Sequence, residues 1–457
     1  MLGTRKYETK INCFIPVFIV LVSCSDIQKN TYMKRSELLT LCVLTILMSY
    51  PSSEAIAEDI PAQIVGAQEP SERLTVFKVN REIEYDIDGK KRFVGAGFQP
   101  SALLDSKGSI HVFFQARLDG SGDKSEKLIG HVISKDNGKT FSNMKFVNQL
   151  PMQTYAISSF TRKLPSGVER ISLMTSLSID ETIGRLENPA LINKRLGIDV
   201  SSFTRKSACL VLEFYSDDGG KSWKRKEHRG VSDRVYKRNG RDYYLAFINL
   251  IGQVRKIETG PHAGRLILAG PLRGDYLPCQ DHARFRSYQS SSSVIYSDDS
   301  GESWKFGGVI NDKTTFEHNE ASAVSVDGGK QILMVRRRNK GSDMGKIMHY
   351  SNDGGATWGK GFASDIAATR CLQVMETCGD FVLCSAPGKR QRKEGRIYYS
   401  RDNGRSWSFK VIDEGPFSYS TVNRLKDKYL ICCYSLGHHG EQGISARIFS
   451  TRWIDTK

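Results

Sequence analysis

Ser297-Asp-Asp-Ser-Gly-Glu-Ser-Trp304 follows the apolar run Val294-Ile-Tyr296 and is one of five copies of a single pattern. The pattern is Ser-x-Asp-x-Gly-x-Ser/Thr-Trp/Phe, and we call each copy a box. The five boxes occupy residues 134–141, 216–223, 297–304, 351–358 and 400–407. Repetition of one short pattern along the chain predicts an architecture of repeated structural units.

The residue types of the box are those of a hairpin turn. The Asp can accept backbone N–H bonds within the turn, the Gly can take a positive φ, and the Ser or Thr can bond locally. Each box follows a strand-like run, as a hairpin requires, and ends in an aromatic residue suited to a core. The box lacks the regular acidic ligands and final Glu of a calcium-binding EF-hand. We therefore expect structural turns between the strands of a β-propeller.

Composition agrees with an all-β chain. The 457 residues are 10% aromatic and include 41 Gly but only 13 Pro. Short runs rich in Val, Ile, Tyr and Ser alternate with Gly, Asp and Asn, and no long stripe of helical period competes with them.

The N-terminal region predicts export. Met33-Lys-Arg35 is a basic start, the apolar run Leu38 to Met48 follows, and Ala55-Ile-Ala57 has the form of a cleavage site. We expect translation to begin at Met33 and cleavage after Ala57, with residues 1–57 as signal region, 58–80 as lead-in and 81–457 as propeller. This run and an earlier apolar stretch, Ile11 to Cys24, are both short for a membrane span.

The expected destination is the periplasm or the medium. An alternative is a lipoprotein anchor at Cys24, because Leu21-Val-Ser-Cys24 has the form of a lipobox. A second complete signal directly behind this segment argues against an anchor.

Charge and cysteine content narrow the partners. The chain has a formal net charge of +16, and residues 1–57 account for only two of these charges. A basic exported protein favours anionic partners such as acidic glycans, and no motif indicates nucleic acid. Seven cysteines remain after processing, an odd number that cannot pair completely within one chain. Their spacing does not resemble that of a zinc site, so we expect no metal. We also expect a monomer.

The five boxes resemble the Asp boxes of the sialidase superfamily. This resemblance implies a six-bladed propeller of four-stranded antiparallel blades, with the boxes on the side away from the active site. It also implies a cofactor-free retaining glycosidase. A Tyr attacks the anomeric carbon, a Glu takes its proton, an Asp is the acid/base, and three Arg residues bind the substrate carboxylate. Because that carboxylate would repel a carboxylate nucleophile, a neutral phenol suits this substrate.

Two segments carry the resemblance in the second half of the chain. Gly415-Pro-Phe-Ser-Tyr419-Ser-Thr-Val-Asn-Arg-Leu425 is similar to the family's nucleophile segment, which makes Tyr419 the expected nucleophile. Asn319-Glu320, followed by a strand ending at Arg336-Arg-Arg-Asn339, resembles the segment that supplies the Tyr partner and a carboxylate-binding Arg. Glu320 and Arg338 take these expected roles, although three successive arginines could instead be a solvated edge strand.

Two further segments supply the remaining expected residues. The loop Pro387-Gly-Lys-Arg-Gln-Arg392 is similar to the loop that delivers another Arg, with Arg392 the better match and Arg390 the competitor. Pro100 to Arg117 resembles the first propeller hairpin and places Arg117 beside the substrate's ring substituents. Asp123 follows where the acid/base Asp is expected, with Asp119 as the fallback.

One position departs from the pattern. The family has an Arg two residues before Pro100, where this chain has Phe98. Losing one of three bidentate arginine contacts should cost a few kcal/mol of substrate binding unless Arg92 or another basic residue reaches the site.

Three hypotheses follow for function. We favour an exo-α-sialidase-type hydrolase that releases terminal sialic acid, or a related acidic sugar, from glycoconjugates. The alternatives are a propeller hydrolase for another acidic or sulfated sugar, and a glycan-binding propeller without activity.

Overall fold

The computed structural model describes residues 69–87, 89–123, 125–149, 157–180, 207–232, 235–238, 241–248, 250–276, 291–310, 317–339 and 345–456. All of them lie in one compact unit, Ile60–Lys457. The expected export signal, with Met33, Cys24 and Ala57, lies outside the described residues. No helix in the part of the chain that is described has the length and apolar character to cross a bilayer.

The fold is the six-bladed β-propeller that the resemblance implies. Six antiparallel sheets follow one another along the chain on a four-stranded plan, and blades 1 and 3 carry additional strands.

The first three blades hold the following strands. Blade 1 contains β2 (Glu84–Ile87), β3 (Lys90–Leu104), β4 (Ile110–Leu118), β5 (Lys127–Ser134) and β6 (Lys145–Phe146). Blade 2 contains β7 (Ser158–Lys163), β8 (Glu169–Asp180), β9 (Ser207–Ser216) and β10 (Lys224–Glu227). Blade 3 contains β11 (Val235–Arg238), β12 (Arg241–Ile248), β13 (Arg255–Lys256), β14 (Leu266–Tyr276), β15 (Ser291–Ser297) and β16 (Lys305–Val309).

The last three blades complete the ring. Blade 4 contains β17 (Glu317–Val326), β18 (Gln331–Asn339), β19 (Lys346–Ser351) and β20 (Phe362–Ser364). Blade 5 contains β21 (Val374–Cys378), β22 (Phe381–Ala386), β23 (Lys393–Ser400) and β24 (Ser408–Pro416). Blade 6 contains β25 (Ser420–Lys426), β26 (Tyr429–Leu436), β27 (Gly443–Ser450) and β1 (Leu74–Lys78), and a short helix, α1 (Thr451–Asp455), follows.

Blade 6 explains how five boxes accompany six blades. Each box connects the last two strands of blades 1 to 5, at β5–β6, β9–β10, β15–β16, β19–β20 and β23–β24. In blade 6 the outermost strand is β1 from the N-terminal side of the propeller, paired antiparallel with β27. No turn is needed between β27 and β1, so this blade has no box. The described strands thus begin at Leu74, within the expected lead-in.

The same four hydrogen bonds fix every box. In the third box Ser297 Oγ donates to Asp299 Oδ1 at 2.7 Å and accepts from Gly301 N at 2.7 Å. Ser303 donates to Asp299 through its backbone N at 2.8 Å and through Oγ at 2.5 Å. Gly301 has φ 91°, which favours glycine, and Trp304 is 1% exposed in the core. The hairpin chemistry expected from the sequence is therefore confirmed.

The core lies between the blades. Every residue of β4 is buried, and clusters of apolar side chains join each sheet to its neighbours. The six described cysteines, Cys209, Cys371, Cys378, Cys384, Cys432 and Cys433, are buried. They pack as small apolar side chains.

Candidate active site

The topology brings the expected site residues to the end of the propeller opposite the boxes. Successive connections of an antiparallel sheet alternate between its two ends. The boxes connect the last two strands of a blade, whereas Arg392 lies in the β22–β23 connection and Tyr419 directly precedes β25. Residues from blades 1, 4, 5 and 6 can therefore meet at one end of the ring.

Tyr419 and Glu320 are in direct contact, although they lie 99 residues apart in sequence. The Tyr419 hydroxyl donates a hydrogen bond to Glu320 Oε1. Burial, and then the charge of Glu320, raises the pKa of Tyr419 well above its ordinary value. The phenol is therefore neutral at rest and its proton already points at a carboxylate.

The backbone at Glu320 is held in an unusual conformation. Its φ is 54°, in the left-handed region, and the β17–β18 pairing has a bulge between Asn319 and Ser322. Such a conformation at a residue other than glycine costs about 1–3 kcal/mol and is retained where the surroundings enforce it. Gln373 Nε2 donates to the Glu320 carbonyl at 2.5 Å, which fixes the turned backbone. The bulge directs the carboxylate toward Tyr419.

Arg337 is the arginine that contacts Glu320. Its Nη1 donates to Glu320 Oε2 at 2.8 Å, so each carboxylate oxygen has its own partner. Side chains alternate along β18, and Arg336 is buried with its Nε donating to His349 Nε2 at 2.9 Å. The side chain of Arg338 lies outside the described part of the structure, so its expected role stays a prediction. The sequence interpretation missed Arg337.

The first hairpin brings Phe98 and Arg117 to the same centre. The ring centroid of Phe98 lies 4.5 Å from that of Tyr419, and the guanidinium of Arg117 lies 4.1 Å from the Phe98 centroid on the ring face. Arg117 Nη2 donates to Asp123 Oδ1 at 3.0 Å. The Arg117 side chain is 2% exposed and that of Asp123 is 72% exposed, so a buried cation holds an accessible carboxylate at the mouth of the site.

The geometry separates Asp123 from Asp119. Asp119 accepts from Arg92 Nε at 2.6 Å and from the backbone N of Phe93 at 3.2 Å. Arg92 also forms an ion pair with Glu126. Asp119 and Arg92 thus bind each other at the rim, whereas Asp123 is the aspartate that accepts a hydrogen bond from Arg117.

Arg392, from the β22–β23 connection, lies beside Tyr419. Its guanidinium lies 5.2 Å from the Tyr419 ring centroid. Nη1 donates to the His438 carbonyl and to Ser418 Oγ at 3.4 Å, and Nη2 donates to the Arg370 carbonyl at 3.3 Å. Arg390 is exposed and lines a neighbouring cavity.

The β26–β27 loop adds a residue that the sequence interpretation missed. The His439 ring centroid lies 6.3 Å from that of Phe98, and the backbone N of His439 donates to Glu441 Oε2 at 2.8 Å. Burial and the adjacent His438 lower the pKa of His439, against the raising effect of Asp123. The pair of consecutive histidines is the only signal of this loop in the sequence.

The described side chains include no cluster of three or more His, Cys, Asp or Glu arranged to bind a metal. The chemistry available here is that of a phenol, two carboxylates and several guanidinium groups.

Comparison with known proteins agrees with this architecture. Residues 169–432 match the family model described as BNR repeat-like domain. The sialidase of Micromonospora viridifaciens is 27% identical over 423 residues, covering 88% of this chain and 58% of the relative. The sialidase of Paraclostridium sordellii is 27% identical over 261 residues, covering 57% of this chain and 56% of the relative. The chain therefore spans little more than half the length of these curated relatives.

Solved structures support the fold. A protein of unknown function from Dyadobacter fermentans has a TM-score of 0.59 at 16% identity, covering 84% of this chain and 99% of its own. A Hadza microbial sialidase has a TM-score of 0.56 at 16% identity, covering 80% of this chain and 68% of its own. The match of the family model to more than half of the sequence shows that the chain belongs to the family of BNR repeat-like domains, within the sialidase propeller superfamily.

Proposed function

We propose that this protein is an exo-α-sialidase-type retaining glycoside hydrolase that releases a terminal sialic acid, or a closely related acidic sugar, from glycoconjugates. The observation that carries the proposal is the hydrogen bond from the Tyr419 hydroxyl to Glu320. A phenol paired with a buried carboxylate is an activated nucleophile that stays neutral until the proton moves. The sialidase relatives, which the chain matches over part of their length, support the same reaction class.

In the first step the Tyr419 oxygen attacks the anomeric carbon while its proton passes to Glu320. The bond from that carbon to the leaving-group oxygen breaks, and Asp123 donates a proton to this oxygen. In the second step Asp123 takes a proton from water, the water oxygen bonds to the anomeric carbon, and the tyrosyl bond breaks. The phenol then recovers its proton from Glu320. Two displacements at one carbon give net retention.

Three guanidinium groups surround the position of the substrate carboxylate in this proposal. Arg337 forms an ion pair with Glu320, and Arg392 lies beside the Tyr419 ring. Arg117 lies on the face of the Phe98 ring. Arg117 thus brings a guanidinium to the side on which Phe98 replaces the expected arginine. Arginine suits this task because it is always charged and can donate two parallel hydrogen bonds to a carboxylate.

The decisive experiment traps the proposed intermediate. A difluorinated sialic acid, whose fluorines slow both displacements, should label the protein covalently, and mass spectrometry of the digest should place the label on Tyr419. Tyr419→Phe should abolish both labelling and turnover of a fluorogenic sialoside, whereas Tyr429→Phe, at the start of β26 in the same blade, is the control. Turnover that survives in Tyr419→Phe would refute the assigned nucleophile.

A second candidate function is hydrolysis of another acidic or sulfated sugar. Phe98 favours it, because an uncharged ring stands where the family pattern has a cation. Uronic-acid and sulfated oligosaccharides assayed beside sialosides distinguish the two. Glycan binding without turnover of any of these substrates would instead identify a non-catalytic propeller.

We also propose export to the periplasm or medium, on the basis of the N-terminal signal pattern. Fractionation of cells that produce the chain, followed by N-terminal sequencing of the product, tests both the compartment and cleavage after Ala57.

A further inference from the structure

A cavity of about 640 Å³ adjoins the candidate active site between blades 5 and 6. Its described lining residues include five basic side chains and no Asp or Glu. These five are Arg370, Arg390, Arg392, Lys393 and His438. The volume falls in the range of about 300–1,000 Å³ typical of small-ligand sites. A concave site lined by charge of one sign favours an anionic occupant.

The walls of the cavity are fixed by backbone hydrogen bonds. Thr369 N donates to the Gly388 carbonyl at 3.0 Å, and Gly388 N donates to the Lys393 carbonyl at 2.9 Å. Arg392 joins this loop to the β26–β27 loop through its bond to the His438 carbonyl. The basic groups therefore project from a preformed frame, which lowers the entropy cost of binding.

The position of the cavity relates it to the leaving group. Arg392 lines the cavity and lies beside the Tyr419 ring, so one guanidinium borders both spaces. His438 lines the cavity, and the ring of the next residue, His439, lies 6.3 Å from that of Phe98. The face of Phe98 carries Arg117, which binds Asp123. The loop that holds the two histidines therefore extends from the cavity to the ring beside the proposed proton donor. The leaving-group oxygen must face the proton donor, which places the rest of the leaving group toward the cavity.

We infer that this cavity is a subsite for an anionic sugar in the leaving group, one that carries a sulfate ester or a carboxylate next to the sugar that is cleaved. The inference rests on the proposed function for the identity of the cleaved sugar. It goes beyond that function because it specifies the charge of the acceptor side of the glycan.

The kinetic test compares two sialosides with the same linkage, one ending in neutral galactose and one in galactose 6-sulfate. We expect kcat/KM to be about fivefold or more higher for the sulfated substrate at low salt, and the ratio to fall toward one in about 0.5 M salt as screening increases. Arg390→Glu should abolish or invert the ratio. Lys389→Glu makes the same charge change one residue away, outside the lining, and should preserve it. Equal kcat/KM for the two substrates would overturn the inference.

A binding test separates this inference from the proposed function. Titration of the intact protein with galactose 6-sulfate, glucuronic acid, galactose and inorganic sulfate is followed by calorimetry, in the parent and in Arg390→Glu. Binding of the two acidic sugars, lost in the variant, supports the subsite even if no sialoside is turned over, which would refute only the proposed function. Sialoside turnover without acidic-sugar binding, or binding of inorganic sulfate as tight as that of galactose 6-sulfate, would refute the subsite.

Discussion

The guanidinium of Arg117 lies 4.1 Å from the ring centroid of Phe98, and the same ring lies 4.5 Å from that of Tyr419. Phe98 therefore occupies the place of the expected arginine and supports another arginine on its face. A cation on an aromatic face is stabilised by about 0.5–2 kcal/mol, more when it is desolvated. The Arg117 side chain is 2% exposed, so the contact fixes the guanidinium in the site.

We predict that Arg117→Ala lowers kcat/KM for a fluorogenic sialoside by about 10- to 100-fold, since a charge-assisted contact contributes about 1.5–3 kcal/mol. Arg117→Lys should recover little of the kcat/KM that Arg117→Ala loses, because an ammonium cannot donate two parallel hydrogen bonds. The double variant Phe98→Arg with Arg117→Ala should recover part of the loss. Arg92→Ala, which removes a guanidinium bound to Asp119 at the rim, is the control. Unchanged kcat/KM in Arg117→Ala would contradict the role.

The fold could be predicted because the hydrogen bonds of each box join residues that are close together in the sequence. All four hydrogen bonds of the third box join residues between Ser297 and Ser303, so their chemistry can be interpreted without knowing the rest of the chain. The strand that closes blade 6 is different. β1 pairs with β27 across almost the whole sequence, and nothing in the local composition of Leu74–Lys78 specifies that partner.

The candidate site was predictable in part for the same reason. Tyr419 and Glu320 lie in recognisable segments, and the structure brings them together. Arg337 was missed because the choice among three successive arginines depends on strand alternation and on a bulge in β17. His439 was missed because its position depends on a loop with positive φ at Gly437 (84°) and Gly440 (75°), which no repeat marks.

Gln373 is predicted to position Glu320 without touching substrate. Its amide donates to the Glu320 carbonyl at 2.5 Å, and Gln373 is fully buried. Gln373→Leu removes this donor and frees the left-handed backbone to relax, so kcat should fall about tenfold with little change in KM, since the altered geometry affects proton transfer more than binding. Gln331→Leu, near the box end of blade 4, is the control. A rise in KM at constant kcat would contradict a positioning role.

The aspartates of the boxes should stabilise the propeller in a pH-dependent way. Burial would raise the pKa of Asp299, but hydrogen bonds from Ser303 and Ser297 outweigh it and lower the pKa to about 2. A carboxyl whose pKa is lower in the folded state contributes stability above its unfolded pKa. That contribution is lost as the pH falls through the folded pKa, here between about 4 and 2.

Ser303→Ala removes the side-chain bond to Asp299 and should lower the free energy of unfolding by about 1 kcal/mol at neutral pH. The difference from the parent should shrink as the pH falls toward about 2, the folded-state pKa of Asp299, because the parent then loses the advantage that the variant already lacks. Urea unfolding at several pH values measures this. Ser166→Ala, at an exposed serine of the β7–β8 turn, should have no effect. A difference that stays constant with pH would contradict the ionic origin of the stabilisation.

Closure of the ring should depend on Asp413, whose side chain is fully buried. Arg73, just before β1, donates to both of its oxygens, and the Tyr434 hydroxyl donates to Oδ2 at 2.6 Å. Burial would raise the pKa of Asp413, but these donors outweigh it and lower the pKa to about 2. The carboxylate thereby links blade 5, β26 and the residues that lead into the closing strand.

Asp413→Ala should lower the free energy of unfolding by about 1–3 kcal/mol, because it leaves the buried Tyr434 hydroxyl without its acceptor and removes the ion pair with the partly exposed Arg73. Arg401→Ala breaks an ion pair with Asp455 in which both side chains are about half exposed, and it should cost less than about 1 kcal/mol. Urea unfolding of the two variants compares an ion pair with a buried carboxylate to an exposed ion pair in one protein. If both lose the same stability, the closing strand is held by the β1–β27 backbone pairing, and the buried carboxylate has no special part in ring closure.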